Sequence, residues 1–480
     1  MSGLLIAGTT SDAGKSAVTT GLCRAFARRG LRVAPYKAQN MSNNSLVVST
    51  SSTSEGRPTH AEIGRAQWVQ ALAAGVAPEP AMNPVLLKPG SDHRSHVVLM
   101  GRPAGTVDSG GWVAGRRHLA TAAHVAYDDL AARFDIVVAE GAGSPAEINL
   151  RDSDYVNMGL ARHGRLPTVV VGDIDRGGVF AAMYGTVALL SPEDQALMAG
   201  FVVNKFRGDR ALLSPGLDAL ERLTGRRVYG VLPWDPALWL DSEDALDLDG
   251  RRAAGAATRR VAVVRLPRIS NFTDVDALGL EPALDVVFAS GPRDLADADL
   301  VVLPGTRSTI SDLAWLRARG LDRAILDHAA RGRPVLGICG GCQMLGRTIA
   351  DPDGVEGDVT VVGGLGLLDL TTTFSAEKTL RLCPPTGYEI HHGRIEGETR
   401  HGAVTGTMVH GRLEDDDHRA AFLAEALGAG SSVSFPAARA ARIDRLAELV
   451  EQHLDVDALA TLARDGVPST LPTLPPGGAQ

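Results

Sequence analysis

Two cysteines in the stretch RPVLGICGGCQMLG, residues 333–346, are the side chains whose type and spacing most directly suggest chemistry. Cys339 and Cys342 have the Cys-x-x-Cys spacing, which suits a metal site, a redox pair or a nucleophile with a neighbour. A structural zinc ion normally needs four nitrogen or sulfur ligands, and the chain has no second Cys-x-x-Cys pair to supply them. A redox pair is expected near the start of a βαβ unit, and the local pattern is only loosely compatible with that arrangement.

The third interpretation is a single nucleophile at a sharp turn between a strand and a helix. The apolar residues PVLGI predict the strand and GGCQMLG predicts the helix, which places Cys339 at the tip of the turn. Glycines on both sides allow the backbone to fold that tightly, and the N–H groups that follow can face a developing oxyanion. In this interpretation only Cys339 reacts, and Cys342 is a small packed residue of the first helical turn.

The segment GICGGCQ also resembles the G-x-C-x-G-x-Q pattern of class I glutamine amidotransferases. The resemblance implies that Cys339 attacks L-glutamine and that a downstream histidine, His410 in TMVHGR, is its general base. It also implies that a backbone N–H near Gly305, in the segment VVLPGTRST, completes the oxyanion hole.

The residue that should orient this histidine is missing from its expected place. Class I amidotransferases carry His-Pro-Glu there, whereas this chain has His-Gly-Arg beginning at His410. Glu414 is a weakly supported substitute for the glutamate. His391 and His392, in GYEIHHGR, are rival bases, although a structural or substrate-facing role is favoured for both. The sequence therefore does not predict what orients His410.

A second set of candidate residues lies near the N-terminus, in GTTSDAGKS, residues 8–16. Glycine-rich backbone between a strand and a helix presents N–H groups to phosphate, and the helix dipole adds to this attraction. Lys15 can reach the terminal phosphates of a nucleotide, and the Ser16 hydroxyl can ligate Mg²⁺. The alternative is an ordinary turn with an exposed lysine. The predicted ATP site comprises Gly8, Thr10, Asp12, Gly14, Lys15 and Ser16.

The loop is one residue longer than the standard P-loop, and it resembles that of dethiobiotin synthetase and its relatives. That resemblance implies that Lys37 contacts phosphate or substrate and that Asn204, at a later strand end, holds the adenine. Glu140, at the carboxyl end of the strand DIVVAE, is a candidate Mg²⁺ ligand, and Glu62 is a more weakly supported candidate for metal or substrate. A surface or purely structural role stays open for each of these four residues.

These residues need elements that bring them to the edges of two sheets. In the first half, apolar strands such as GLLIAG, DIVVAE and LPTVVVGDID alternate with helical stretches, and RVAVVRL, DLVVLPG and RPVLGIC follow in the second half. Strands that are apolar on both faces and separated by helices predict buried parallel sheets. We predict an α/β chain with a dethiobiotin synthetase-like P-loop amidoligase domain over 1–238, a linker over 239–258, a class I glutamine amidotransferase domain of flavodoxin-like fold over 259–457, and a tail over 458–480.

Composition limits the classes of partner. The formal charge is −8, the pI is near 5.9 and only 4% of residues are aromatic, which disfavours nucleic-acid binding. No apolar run is long enough to span a membrane, and the N-terminus lacks the basic start of a signal peptide. Four cysteines in 480 residues predict a reducing, cytoplasmic location. The oligomeric state is not predicted.

Taken together, the two halves resemble the cobyric acid synthase family over nearly the whole chain. Further marks of this family are PYKAQNMSNNS, EIGRAQ, AMNPVLLKP, GDIDRGGVFA, NKFRGD and GYEIHHGR. The resemblance implies an ATP-, Mg²⁺- and glutamine-dependent ligase that amidates the b, d, e and g carboxylates of a corrinoid, adenosylcobyrinic acid a,c-diamide. The sister a,c-diamide synthases are one alternative, and a partition-type ATPase joined to an inactive amidotransferase is another.

Overall fold

The structure, a computed structural model, describes residues 2–50, 59–89, 94–108, 117–236, 238, 257–357, 360–468 and 470–475. Two different α/β units follow each other along these residues, each built on a mainly parallel sheet. The predicted fold class is therefore confirmed. Nearly all of the predicted linker, residues 239–258, lies outside the described residues.

The first unit is built on a sheet whose central strands are buried at every position, as expected of apolar strands covered on both faces. Six of its strands form this parallel sheet, in the order β12-β11-β10-β1-β9-β2, and the others form an insertion. The described strands are β1 (Gly3–Gly8), β2 (Val33–Tyr36), β3 (Gln39–Met41), β4 (Ser45–Thr50), β5 (Thr59–Gly64), β6 (Val85–Pro89), β7 (Arg94–Leu99), β8 (Arg102–Asp108), β9 (Ile136–Glu140), β10 (Thr168–Asp173), β11 (Met198–Phe206) and β12 (Arg227–Pro233).

The insertion between β2 and β9 contains a four-stranded sheet, in the order β3-β6-β7-β8, and a separate hairpin of β4 and β5. Helices connect the strands of the parallel sheet. Because β1 lies between β9 and β10, the loop that follows β1 meets the carboxyl ends of both neighbours. The helices of this unit are α1 (Lys15–Arg28), α2 (Arg65–Ala74), α3 (Arg117–Arg133), α4 (Met158–Gly164), α5 (Val179–Ala188), α6 (Pro192–Gln195) and α7 (Arg210–Thr224).

The second unit has a sheet in the order β14-β13-β15-β16-β22-β21, parallel except for the last pair. A smaller sheet, β18-β17-β19-β20, follows the nucleophile segment, and its long strands β19 and β20 pack against the β4–β5 hairpin of the first unit. The strands are β13 (Arg259–Val264), β14 (Leu284–Ala289), β15 (Leu300–Leu303), β16 (Val335–Ile338), β17 (Thr348–Ala350), β18 (Val361–Gly363), β19 (Leu370–Leu382), β20 (Tyr388–Gly397), β21 (Arg400–His401) and β22 (Val404–Thr407).

The predicted boundary at residue 457 does not coincide with the packing of the last helices. The helix Phe435–His453 packs against α1 of the first unit, where Asp444 pairs with Arg24 and Arg28. The predicted tail also contains a helix, and Leu474 beyond it is buried. Apolar faces hold both segments on the first unit. The helices are α8 (Thr309–Ala318), α9 (Leu321–Ala330), α10 (Gly340–Leu345), α11 (Asp416–Leu427), α12 (Phe435–His453) and α13 (Val456–Asp465).

In the part of the chain that the structure describes, no helix combines the length and the apolar character needed to cross a lipid bilayer.

Candidate active site

Cys339 sits at the tip of a strained turn between β16 and α10. Its φ is +50° and its ψ is −110°, a conformation that non-glycine residues rarely adopt. Its N–H donates to the carbonyl of Thr407 at 2.7 Å, which fixes the turn against β22. A Cβ at Gly341 would lie 1.9 Å from the Leu303 carbonyl oxygen, so this position requires glycine. The geometry is that of a nucleophile elbow.

Cys342 lies in the core rather than in the turn. Its side chain is fully buried, and its sulfur would lie 2.5 Å from a Cβ at Gly406. Burial, with a smaller contribution from Cys339, raises the pKa of the Cys342 thiol to about 12. A thiol that stays protonated is a poor nucleophile, so the structure favours Cys339 as the reactive residue.

His410 lies beside Cys339 and is oriented by Asp274. The Nδ1 atom of His410 is 2.6 Å from Oδ2 of Asp274, and the Gly411 N–H donates to Oδ1 at 2.8 Å. Burial disfavours the charged imidazole, but Asp274 and a hydrogen bond with Cys339 outweigh it and raise the pKa of His410 to about 10. Cys339, His410 and Asp274 thus form a nucleophile–base–carboxylate triad.

Asp274 is the functional residue that sequence reasoning missed. It belongs to a 3-10 turn, Phe272–Val275, that follows β13 and lies 136 residues before His410 in the chain. Glu414, the weakly supported substitute, is engaged elsewhere because its carboxylate pairs with Arg65 and Arg439. An isolated acid in a loop carries no spacing pattern that links it to a distant histidine.

Neither rival histidine occupies the position of the base. The Nδ1–H of His392 donates to the Ser375 carbonyl at 3.1 Å, and His391 lies on the cavity wall. Burial lowers the pKa of both imidazoles to about 4, so both are neutral near pH 7. Tyr388 stacks on His410 with ring centroids 5.4 Å apart and an interplanar angle of 22°.

Gly305 lies directly beside the base. A Cβ at Gly305 would lie 3.0 Å from Cε1 of His410 and 3.0 Å from the Ser270 carbonyl oxygen. Its own carbonyl accepts from the Ser270 N–H at 2.8 Å. The turn that contains Gly305 therefore borders the reactive sulfur, while its part in an oxyanion hole stays a prediction.

A cavity opens from the triad towards the first unit. Oppositely charged side chains line it: Arg307 and Glu356 beside the triad, and Lys88 and Lys378 where the two units meet. Gln343, the last residue of the GICGGCQ segment, also lines the cavity. Basic and acidic side chains therefore lie beside the Cys339 sulfur, as the two charged groups of an amino acid would require.

The predicted nucleotide loop lies at the carboxyl edge of the first sheet. Lys15 reaches back across the loop, and its Nζ donates to the carbonyls of Thr10 and Gly143 at 3.0 Å each. Gly14 has a φ of +98°, and a Cβ there would lie 1.9 Å from the Asn204 amide nitrogen. That amide donates to the Ala13 carbonyl at 2.9 Å, so Asn204 braces the loop. Its contact with adenine stays a prediction.

The rest of the loop makes ordinary strand-to-helix contacts. Gly8 ends β1, and a Cβ there would lie 2.9 Å from the Lys15 amine. Asp12 has a φ of +57°, and its carbonyl accepts from the Lys205 amine at 2.8 Å. Their contacts with phosphate stay a prediction.

The Glu140 carboxylate contacts two other predicted site residues, Ser16 and Lys37. Its Oε1 accepts from the Ser16 hydroxyl at 2.8 Å and from the Lys37 amine at 3.0 Å, and its Oε2 accepts from Gln70 at 2.6 Å. Burial opposes ionisation, but Lys37 and the two hydrogen bonds lower the pKa of Glu140. The structure therefore brings Ser16, Lys37 and Glu140 together as a charged group beside the loop.

Glu62 does not join that group. Its carboxylate is fully buried between the amines of Lys88 and Lys378, each 2.5 Å away, and also accepts from the Ser45 hydroxyl. Burial opposes its charge, but the two lysines lower the pKa of Glu62. Glu62 is thus grouped with Lys88 and Lys378 rather than with Ser16 and Glu140, and its part in binding a metal or substrate stays a prediction.

Comparison with known proteins agrees with this two-site arrangement. A CobQ/CobB/MinD/ParA nucleotide binding domain matches residues 4–247, and a CobB/CobQ-like glutamine amidotransferase domain matches residues 260–425. The cobyric acid synthases of Mycolicibacterium gilvum and Mycolicibacterium vanbaalenii are 72% and 71% identical over 494 residues, which cover 99% of this chain and all of each relative. The cobyric acid synthase of Mycobacterium tuberculosis strain H37Ra is 71% identical over 497 residues, with the same coverage.

Fold, site and similarity thus define a glutamine-dependent amidotransferase ligase with a nucleotide-binding unit. The chain belongs to the cobyric acid synthase family.

Proposed function

We propose that this chain amidates the b, d, e and g side-chain carboxylates of adenosylcobyrinic acid a,c-diamide, using MgATP and L-glutamine, to give adenosylcobyric acid. The observation that carries the proposal is the presence of two complementary reaction sites in one chain. One is the phosphate loop at Lys15, and the other is the Cys339–His410–Asp274 triad. A ligase that makes amides needs both an activated acyl group and a source of ammonia.

The phosphate loop serves the activation step. A carboxylate is a poor acyl donor because its oxygen leaves badly. Transfer of the γ-phosphoryl group of ATP to a corrinoid carboxylate gives ADP and an acyl phosphate, which ammonia then attacks with release of inorganic phosphate. Lys15, whose amine lies over the loop, supplies positive charge to the transferring phosphoryl group.

The triad serves the release of ammonia. The Cys339 sulfur attacks the side-chain amide carbon of glutamine, and protonated His410 gives its proton to the departing ammonia. Water then hydrolyses the thioester, with His410 as base, and glutamate leaves. Ammonia that escaped into water would be protonated and lost as a nucleophile, which favours an enclosed route between the two units.

The residues beside the loop fit a magnesium ion. Ser16 and Glu140 place a hydroxyl and a carboxylate oxygen 2.8 Å apart, and Mg²⁺ prefers such oxygen ligands together with phosphate and water. When bound, the ion neutralises charge on the ATP phosphates. Lys37 and Gln70 hold the carboxylate of Glu140 in a fixed orientation for this role.

Arg307 is suited to hold the α-carboxylate of glutamine. It lines the cavity beside Cys339, and its guanidinium makes no hydrogen bond or ion pair with any part of the chain that the structure describes. Burial lowers the pKa of Arg307 against the attraction of Glu356 and Glu62. An unpaired, half-buried cation favours an anionic ligand.

Arg307→Met should raise KM for glutamine and spare ammonium-driven amidation, and Arg307→Lys should show a smaller rise.

Mass spectrometry of the corrinoid after incubation with MgATP and glutamine tests the whole proposal. Adenosylcobyrinic acid a,c-diamide should gain four amides, and unamidated adenosylcobyrinic acid should be a poor substrate. Amidation of adenosylcobyrinic acid at the a and c groups only, with no reaction of the a,c-diamide, would instead support the sister a,c-diamide synthase activity. An absence of both amide products and glutamate would overturn the proposal.

A further inference from the structure

A second cavity, here called the outer cavity, lies entirely within the amidotransferase unit. It is bounded by the paired strands β19 and β20 and by the end of β22, and it opens to solvent beside the exposed side chains of Arg394 and Thr399. Its volume is about 510 Å³, within the roughly 300–1,000 Å³ that is typical of small-molecule sites. None of its lining residues belongs to the triad or to the phosphate loop.

The alternation of side chains along β19 and β20 places the outer cavity on the face turned away from the nucleotide-binding unit. Successive side chains of a strand point to opposite faces. One set packs with the apolar core of the first unit: Leu380, Leu382, Tyr388 and Ile390. The other set lines the outer cavity: Thr379, Arg381, Glu389 and His391. A small molecule can therefore enter the outer cavity while the first unit covers the opposite face.

The inner end of the outer cavity lies against the triad. Thr407 forms part of its wall, and the Thr407 carbonyl accepts from the N–H of Cys339 at 2.7 Å. His391 lines the outer cavity and also the smaller cavity that contains Cys339 and His410. The imidazole of His391 therefore stands between the solvent-accessible space and the reactive sulfur.

Few polar contacts hold this imidazole in place. Both ring nitrogens of His391 are buried, and neither makes a hydrogen bond of ordinary geometry with the described residues, although a backbone group of Gly393 lies near the ring. Rotation of the ring to another rotamer breaks no such bond. A polar molecule that passes would also supply the partner that a buried ring nitrogen lacks.

The mouth of the outer cavity carries charges of both signs. Arg381 pairs with Glu389 at 2.6 Å, and Arg394 pairs with Glu377 at 2.8 Å. The two arginine side chains are 63% and 54% exposed, so water weakens both pairs and each charge can exchange its partner. A zwitterionic amino acid offers a carboxylate to an arginine and an ammonium group to a carboxylate.

We propose that the outer cavity is the vestibule through which L-glutamine reaches Cys339 and glutamate leaves, with His391 as the gate between the vestibule and the triad. This inference rests on the proposed glutaminase role of Cys339. The cavity at the triad measures about 50 Å³, which is space for only a few water molecules. The His391 ring must therefore turn aside for a whole amino acid to pass.

Narrowing the mouth tests the route. Thr399→Trp adds bulk at the exposed rim and should lower kcat/KM for glutamine by about tenfold, because association is hindered, while ammonium-driven amidation is unchanged. Glu396→Trp is the matched control, since it adds the same side chain at an exposed position of β20 that does not line the cavity, and it should behave as the natural chain. A Thr399→Trp variant with normal kcat/KM, or one that loses ammonium-driven amidation equally, would overturn the route.

Alkylation of Cys339 in the full chain tests the gate, with the product measured on the Cys339 peptide by mass spectrometry. His391→Ala should accelerate the bulkier N-ethylmaleimide by a larger factor than iodoacetamide, because it widens the passage. Thr399→Trp should slow both reagents, and Glu396→Trp should slow neither. Equal acceleration of the two reagents, or none, in His391→Ala would overturn the gating role.

The two levels of the argument fail differently. A natural chain that releases no glutamate from glutamine defeats the proposed function and this inference with it. A natural chain that releases glutamate, beside a Thr399→Trp variant that does so equally well, defeats this inference alone.

Discussion

Backbone conformation and neighbouring groups separate two chemically identical side chains at the residue scale. Cys339 and Cys342 are three positions apart, yet only Cys339 has the strained backbone and the histidine neighbour of a nucleophile. Cys342 of α10 packs against Gly406 of β22, where no charged group of the described residues stabilises a thiolate. We therefore expect position in the turn, rather than intrinsic reactivity, to decide which sulfur acts.

Replacing each cysteine in turn tests this assignment. Cys339→Ala should abolish glutamine-driven amidation and spare amidation with high ammonium, because ammonia then bypasses the thioester. Cys342→Ser is the matched control and should keep most of its glutaminase activity. The measurement is amide formation with each nitrogen source. A Cys342→Ser variant that is inactive while Cys339→Ala is active would reverse the assignment.

We expect Asp274 to set the alkaline limit of the glutaminase reaction. It raises the pKa of His410 to about 10, so the imidazolium persists to that pH, whereas burial alone would lower the pKa. Asp274→Asn should therefore shift the alkaline limb of kcat/KM for glutamine to lower pH and reduce the rate by roughly 10²-fold or more. Asp276→Asn, which changes a second buried acid of the same segment, should leave the limb in place. If the alkaline limb of kcat/KM is unshifted in Asp274→Asn, Asp274 does not set the pKa of His410.

The residues of the site differ in how far sequence could predict them. Cys339 and Lys15 lie in short motifs whose spacing reflects a local turn, so their positions follow from the sequence itself. Asp274 acts across 136 residues, and Glu62 is held by a lysine of the other unit, so both depend on how the units pack. Contacts of that kind leave no spacing pattern in one sequence.

At the scale of elements, continuous apolar strands predicted the two parallel sheets well. The strand GLLIAG is β1, and the helix predicted to follow the phosphate loop is α1, which spans Lys15–Arg28. The prediction differs from the structure where a helix packs on the other unit. The sequence placed α12 in the second domain, whereas α12 packs against α1 of the first unit. The apolar face of a helix shows that it packs, but not against which sheet.

The phosphate loop combines a fixed backbone conformation with one charged side chain. Its conformation depends on Gly14 and on the brace from Asn204, while Lys15 supplies the charge. Lys15→Ala should remove corrinoid amidation with either nitrogen source, because both need the acyl phosphate, with a loss of at least ~10²-fold. Glutamate release measured without nucleotide is the control and should survive. Ammonium-driven amidation that persists in Lys15→Ala would refute the role of Lys15.

At the scale of the whole molecule, buried charges join the two units. Glu62 of the first unit lies between Lys88 and Lys378, and burial lowers the pKa of Lys378 to about 8 despite that carboxylate. Glu414, shortly after His410, is clamped by Arg65 and Arg439. Breaking such a buried pair leaves an uncompensated charge, so these contacts fix the relative position of the triad and the nucleotide loop.

That fixed arrangement leads to a prediction about how four amides are made. Within the described residues the chain shows one phosphate loop, at Lys15, and one nucleophile elbow, at Cys339, whereas the proposed function requires four amidations of a bulky macrocycle. A single site can treat four carboxylates only if the ring is released and rebound in a new orientation, or turns within a roomy cleft. Release between steps should make partially amidated corrinoids accumulate early, each lighter than its precursor by the difference between a hydroxyl and an amino group. Mass spectra of a time course under excess substrate should show these species before the final product, and Lys15→Ala should form none. If only the substrate and the fully amidated product ever appear, the ring stays bound throughout and release between steps is excluded.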